Sequence, residues 1–305
     1  MSEQDMTTGV MNWEHGSTWY RIEGDLHNGL TPLVLLHGGP GAAHNYLIPM
    51  IDLLTSTGRA VVLYDQIGCG LSSHLPDAPK EFWTPELFMK ELQLLLNHLN
   101  IADNYALLGQ SWGGMLGMQF ATNNPAGLVA LVVADSPAGM EIWVSEAAKL
   151  RALLPPEVEE TLKEHEAAGT TSSAEYIAAM DVYYSRHLCR VPMPPDVIAS
   201  FAQIDEDPTV YHTMNGPSEF HCIGSLKTWN IHDDLHKISV PTLLVSGAYD
   251  EATPALVQEI HRRIPDVLWE LFPNSSHMPH VEEPSRFSAV VNEFLEAKTS
   301  LNSAR

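Results

Sequence analysis

Apolar residues along this chain fall into short continuous runs, separated by glycine-rich turns and by longer stretches of helical period. Residues 32–36, 60–64, 105–108 and 128–134 are such runs, the strand-sized pattern of a sheet buried on both faces, and a sheet pattern resumes over 241–246 and 267–272. After a polar start, residues 17–23 read as an earlier strand. Residues 84–99 set Leu87, Phe88, Leu92, Leu95, Leu96 and Leu99 at helical spacing behind Thr84-Pro85-Glu86, an N-cap followed by proline in the first turn. Helices are also predicted from about 115 to 124, over 254–264 and over 284–297. Strand alternating with helix implies parallel strands joined by crossovers, so the fold class is α/β with a doubly wound sheet.

The pattern changes after Ser136. From 137 to 238 no strand-like run occurs; helical patterns over 143–154, 156–168, 173–187 and 194–201 are separated by Pro-Pro pairs and by Gly-Thr-Thr-Ser-Ser. This predicts a sheet core in two parts, 1–136 and 239–305, with a helical cap inserted over the active site at 137–238. Residues 298–305 read as a frayed tail.

Composition narrows the function. Thirty-eight acidic against 16 basic side chains give a net charge of −22, and no Lys/Arg cluster exists to neutralise phosphates, which argues against nucleic acid and anionic membrane partners. No apolar run approaches a membrane span. The acidic first residues lack the order of a signal peptide, so the expected compartment is the cytoplasm. Three scattered cysteines, Cys69, Cys189 and Cys222, offer neither a disulfide framework nor a metal spacing. His232 and His236 stand at i and i+4, the spacing of one helical face, but no third ligand is near, and neither metal nor cofactor is expected.

The chemistry starts at Gly109-Gln110-Ser111-Trp112-Gly113. An apolar strand precedes it and a helical pattern follows, the context of a nucleophile elbow in which Ser111 sits on a tight strand-to-helix turn. Two further strand ends carry polar residues: Gly247-Ala248-Tyr249-Asp250 and Asn274-Ser275-Ser276-His277. Ser, Asp, His is the triad order of that fold. A serine hydroxyl needs a neutral imidazole to accept its proton, and the imidazole needs an anion to fix its tautomer. Ser111 is therefore the candidate nucleophile, His277 the base and then acid, and Asp250 the orienting carboxylate. Two alternatives stand beside these: Asp250 as the N-cap of the helix at Pro254, and His280 in place of His277. Residues 37–41, His-Gly-Gly-Pro-Gly, follow a strand without the Lys-Ser/Thr of a phosphate loop and read as an oxyanion turn. The N–H groups of Gly39 and Trp112 are the candidate oxyanion donors.

Together with Tyr64-Asp65-Gln66 and Gly247-Ala248-Tyr249-Asp250-Glu251, these motifs resemble the proline iminopeptidase family of serine aminopeptidases, over about residues 32–296. The Asn215-Gly216-Pro217-Ser218-Glu219-Phe220 segment is similar to the branch holding the tricorn-interacting aminopeptidase and the L-amino acid amidases. The resemblance implies an α/β-hydrolase fold with a helical cap and a small peptide or amino acid amide as substrate. It also implies that Glu219 and Glu251 hold the substrate's free amine, a cation that needs anionic partners once desolvated. Ile67 stands where the proline-specific branch commonly has arginine, so strict proline specificity is not implied. Tyr183, Tyr184, Phe220 and Trp229 either line a pocket for the first side chain or pack the cap. The alternatives are an esterase, lactonase or amidase that needs no free amine, and a non-catalytic small-molecule receptor on the same scaffold.

Overall fold

The computed structural model describes residues 6–299. Strands β1 (Met6–Trp13), β2 (Gly16–Glu23), β3 (Leu33–Leu36), β4 (Val61–Tyr64), β5 (Tyr105–Gln110), β6 (Leu128–Ala134), β7 (Thr242–Gly247) and β8 (Val267–Phe272) form one sheet in the order β1-β2-β4-β3-β5-β6-β7-β8. β1 and β2 pair antiparallel, β2 joins β4 antiparallel, and from β4 to β8 every pairing is parallel. The helices on the sheet's two faces are α1 (Ile48–Thr55), α2 (Pro85–His98) and α3 (Trp112–Ala121). A family of helices between β6 and β7 comprises α4 (Met140–Arg151), α5 (Pro156–Ala168), α6 (Ala174–His187), α7 (Pro195–Glu206) and α8 (Thr209–Met214). Helices α9 (Pro254–His261), α10 (Pro279–Glu282) and α11 (Pro284–Thr299) complete the chain.

The central strands are apolar throughout because both faces are covered. In β3, Leu33 and Leu35 point into a layer with Met50 and Leu54 of α1 and Phe287 and Val291 of α11. Val34 and Leu36 point the other way, into a layer with Leu92 and Leu96 of α2 and Leu116 of α3. This is the period-two alternation of a strand divided between two cores. Burial of such side chains contributes about 1.5–3 kcal/mol each relative to exposure, so this sandwich fixes where every strand ends. Thr84 caps α2 through its side chain, which accepts from the Leu87 N–H, and Pro85 follows at the first position, as the sequence pattern predicts.

Several boundaries differ from the sequence reading. The start of the chain is not merely polar: β1 is an edge strand, and Met11 is its one buried residue among the eight, so no apolar stripe marks it. α1, α8 and α10 are too short, or too uniformly apolar, for periodicity to reveal them. α4 begins at Met140 rather than 143, and α7 runs on to Glu206. Lys298 and Thr299 do not fray but continue α11. Thr299 is buried, and its hydroxyl accepts from Arg59 Nη2 at 3.0 Å; the rest of the proposed tail lies outside the described residues. His232 and His236 sit in a 3₁₀ turn, His232–Lys237. With three residues per turn, positions i and i+4 no longer share a face. Among the described residues no group of three His, Cys, Asp or Glu is placed to hold a metal ion. The three cysteines are free, and no helix among the described residues is long and apolar enough to cross a membrane.

Candidate active site

The site is built at the C-terminal ends of β3, β5, β6, β7 and β8, where an open α/β sheet leaves its loops free to converge. Between β5 and α3 the chain reverses at Ser111, whose φ of 55° and ψ of −123° lie outside the regions ordinary residues prefer. The reversal is held by hydrogen bonds on both sides. Ser111 N–H donates to the Ala134 carbonyl at 2.9 Å, and the Ser111 carbonyl accepts from Gly114 and Met115 at 2.9 and 3.1 Å. Its neighbours are glycines because there is no room for a Cβ: one added to Gly109 would lie 2.1 Å from the Gly113 carbonyl oxygen, and one on Gly113 would lie 1.9 Å from that of Leu36. The Ser111 side chain lines a cleft together with Gly38, Gly39, Gln110, Glu219 and His277.

The turn after β3 is braced from two sides. The Gly38 N–H donates to the Tyr46 hydroxyl at 2.6 Å, which donates to Gln110 Oε1 at 2.7 Å, while Gln110 Nε2 donates to the His277 carbonyl at 2.9 Å. Gln66 does the same on the opposite side. Its N–H donates to His37 Nε2 and its Nε2 to the His37 carbonyl, both at 3.0 Å, and its Oε1 accepts from Trp112 Nε1 at 2.8 Å. Burial holds the His37 ring below its usual pKa, so it is neutral, with Nδ1–H donating to the Gly38 carbonyl at 3.0 Å. The Tyr-Asp-Gln motif thus locks the Gly38-Gly39 turn to the helix that begins after Ser111. Gly39 has φ 108° and lines the cleft on both sides of Ser111. Trp112 opens α3, so its N–H is one of those a helix leaves without an internal partner.

His277 follows β8 and Asp250 follows β7. His277 Nδ1 donates to Asp250 Oδ1 at 2.7 Å, and the same oxygen accepts the Ala252 N–H at 2.9 Å. Both side chains are buried. The loop carrying His277 is tied down by Glu282, which accepts from the N–H groups of Ser276 at 2.7 Å and Met278 at 3.3 Å. The competing assignments fall away on this geometry. Thr253, not Asp250, caps α9 by accepting from the Leu256 N–H. The His280 ring bonds the Tyr46 carbonyl at 3.2 Å, and burial drives its pKa down to about 3.

Glu251 lies on the Nε2 side of His277, and Glu219 lines the Ser111 cleft alongside His277. Glu251 is fully buried and its Oε1 is 3.9 Å from His277 Nε2. Neither of its oxygens is in hydrogen-bond geometry with a partner among the described residues. Burial, with the Glu219 and Asp250 charges, raises its pKa well above the usual carboxylate range, against the pull of His277 and of the nearby Tyr183 hydroxyl. Glu219, between α8 and β7, lines the cleft from the helical segment. Its Oε1 accepts from the Tyr211 hydroxyl at 2.7 Å, and burial again raises its pKa. Its backbone is pinned by Trp143 Nε1, which donates to the carbonyl at 2.6 Å, and by the Tyr184 hydroxyl, which accepts from the N–H at 3.3 Å. For His277, burial disfavours the imidazolium, but Asp250, Glu251 and Glu219 outweigh it and raise the pKa to about 9. The site is a cradle for positive charge.

Two spaces open from it. A recess of about 10 Å³ lies beside Ser111 between Met115, Met140, Trp143 and Leu226. On the other side, the Ser111 cleft shares Leu188, Phe201 and Ile204 with a larger cleft of about 410 Å³ between α6, α7 and α8, lined also by Ile177, Met180 and Tyr184. Of the four aromatics named from the sequence, Tyr183 and Phe220 are core, packed with Leu154, Leu162 and Tyr176 in the helical segment. Trp229 packs on the main core and donates to Gln119 at 2.7 Å. Tyr184 alone lines the larger cleft. The sequence reading missed Tyr211 and Trp143, which carry no motif, and Asp135. That last residue follows β6 directly and had the same signal as Asp250, a carboxylate immediately beyond an apolar strand.

A family profile for the alpha/beta hydrolase fold matches residues 31–284. The proline iminopeptidase of Saccharolobus solfataricus is 38% identical, over 93% of this chain and 89% of its own length. Among solved structures, VinJ is 54% identical with a TM-score of 0.94, covering 96% of this chain and 99% of the other. The proline iminopeptidase of Mycobacterium smegmatis is 45% identical with a TM-score of 0.90, covering 97% of this chain and all of the other.

Proposed function

The chain belongs to the proline iminopeptidase family of α/β hydrolases, and from that premise we propose that it is a serine aminopeptidase. It releases an N-terminal residue, proline or another small apolar one, from short peptides or amino acid amides through an acyl-enzyme. Ser111 attacks the carbonyl next to the free amine. His277 takes the hydroxyl proton, gives it to the departing nitrogen, and then activates the water that releases the product. Asp250 holds the imidazole through Nδ1, and the N–H groups of Gly39 and Trp112 receive the oxyanion.

The observation that carries this reading is the pair Glu219 and Glu251, one partly and one fully buried, both beside His277, with Glu219 in the Ser111 cleft and Glu251 3.9 Å from Nε2. A buried carboxylate without a hydrogen-bond partner is costly, and a substrate ammonium is the group that relieves it. In the free enzyme His277 itself occupies that role as an imidazolium, with its pKa at about 9. Arrival of a cation beside Glu219 and Glu251 disfavours a second positive charge, so the substrate's own amine releases the proton that His277 must lose to act as base.

The small recess beside Trp143 suits a small first side chain, and the apolar cleft beyond Phe201 suits the part of the substrate that leaves. Residues 137–238 act as the cap that excludes bulk water and long chains. The Asn-Gly-Pro-x-Glu-Phe segment supports placement beside the tricorn-interacting aminopeptidases and amino acid amidases, and the net charge of −22 supports an enzyme without nucleic acid or anionic membrane partners; its proposed compartment is the cytoplasm. The test is a comparison of alanyl and prolyl arylamides with their N-acetylated forms. The free amines should be turned over at least about 100-fold faster in kcat/KM, the scale of a lost charged hydrogen bond; equal rates would reduce the protein to an esterase or amidase without an amine requirement.

A further inference from the structure

Asp135 has no part in the mechanism above, yet it stands at its centre. It follows β6, which the sheet order places between β5, bearing Ser111, and β7, bearing Asp250. Its φ of 55° is a left-handed conformation that a residue other than glycine occupies at a cost. The conformation is held because the Asp135 N–H donates to the Val245 carbonyl at 2.9 Å, while the preceding carbonyl, that of Ala134, accepts the Ser111 N–H.

This turn delivers a fully buried carboxyl against that of Asp250. Asp250 uses Oδ1 for both of its hydrogen bonds. Its Oδ2 and both oxygens of Asp135 are buried without a hydrogen-bond partner among the described residues. Two ionised carboxylates only accept, so burying three such oxygens in adjacent, interacting side chains without a donor is unfavourable, and a single proton between them resolves the conflict.

We propose that Asp135 is held as the neutral acid and donates its O–H to Oδ2 of Asp250, making it a positioning residue for the catalytic carboxylate. Oδ2 is then fixed by Asp135 and Oδ1 by His277 and Ala252, so the carboxylate cannot rotate away from the imidazole. The surroundings favour the neutral form. Burial comes first, followed by the charges of Asp250 and of Glu282 on α10, with only the Gly247 N–H turned so as to favour the anion. Tyr46, from the β3 side, also faces Asp135 but carries no charge, and Glu251 and His277 face Asp250 from the far side. A neutral Asp135 also keeps one more negative charge away from His277, which already has three carboxylates around it.

The test uses the full-length enzyme with Asp135→Asn, which keeps both the left-handed backbone and a donor, and Asp135→Gly, which keeps the backbone and removes the donor. With alanyl p-nitroanilide the Asn variant should retain kcat to within about threefold, and the Gly variant should lose about 10- to 100-fold in kcat with KM little changed. At neutral pH, the infrared spectrum of the wild type minus that of the Asn variant should show the C=O stretch of one protonated carboxyl group. A carboxylate band in its place, an Asn variant as impaired as the Gly variant, or a fully active Gly variant would each overturn the proposal. Should the Gly variant not fold, the infrared difference still decides. That measurement needs no substrate, so it stands whether or not the enzyme proves to be an aminopeptidase.

Discussion

The site has two halves that are held by different means. The half borne by the sheet consists of Ser111, the Gly38-Gly39 turn, Asp250 and His277, each placed within a few residues of a parallel strand end. Main-chain hydrogen bonds and glycines that tolerate no Cβ fix Ser111, and the side chains of Tyr46, Gln66, Gln110 and Glu282 tie the neighbouring loops to the strand ends. The half borne by the helices between β6 and β7 consists of Glu219 with Trp143, Tyr184 and Tyr211, and the apolar cleft. Here side chains from α4, α6 and α8 converge on Glu219, two on its backbone and one on its carboxylate. The difference teaches where chemistry and selectivity reside. On the proposed function, the reacting constellation, which tolerates little misplacement, rests on strand ends, whereas the part that selects the substrate rests on side-chain packing that can vary without disturbing the strands.

The largest effect should come from breaking the sheet-borne half. Ser111→Ala removes the nucleophile while leaving packing nearly untouched, and should lower kcat by about 10⁴-fold or more with an unchanged circular dichroism spectrum and thermal midpoint. A smaller and more selective effect belongs to the helical half. Glu219→Gln should lower kcat/KM for free aminoacyl arylamides by about 10- to 100-fold and leave any slow hydrolysis of the corresponding acetyl ester unchanged. Equal losses on both substrates would place Glu219 in the chemistry rather than in amine recognition.

The subtlest measurement joins the halves through His277. Its pKa of about 9 in the free enzyme predicts that kcat/KM falls as pH drops below about 9, because the base is then protonated. In the complex the bound ammonium disfavours the imidazolium, so the acid limb of kcat should lie at lower pH. Glu251→Gln removes one of the charges that stabilise the imidazolium and should bring the two limbs together. Coincident limbs in the wild type would mean that Glu219 and Glu251 do not couple amine binding to the base.

Much of this was legible in the sequence because it depends on short-range pattern. Continuous apolar runs marked the central strands, and the residues just beyond them gave Ser111, Asp250 and His277. The helical character of 137–238 followed from the absence of such runs. The resemblance to a known family directed attention to Glu219 and Glu251, which no spacing would have singled out. What escaped was of two kinds. β1 has almost no buried face, and α8 and α10 are too short to show a period. Asp135 lacked no local signal, but its meaning depends on Asp250 lying across from it, more than a hundred positions later in the chain.

The sequence by itself determined which residues can react and in which order the strands present them, since turn chemistry, hydrophobic period and strand ends are local properties. The tertiary structure alone decided which buried groups confront one another: that His277 rather than His280 meets Asp250, that Glu251 points at Nε2, and that Asp135 and Asp250 share one buried space. Electrostatic interaction depends on distance through the folded interior and on the loss of water there, and neither quantity exists until β5, β6, β7 and the helices above them are brought together.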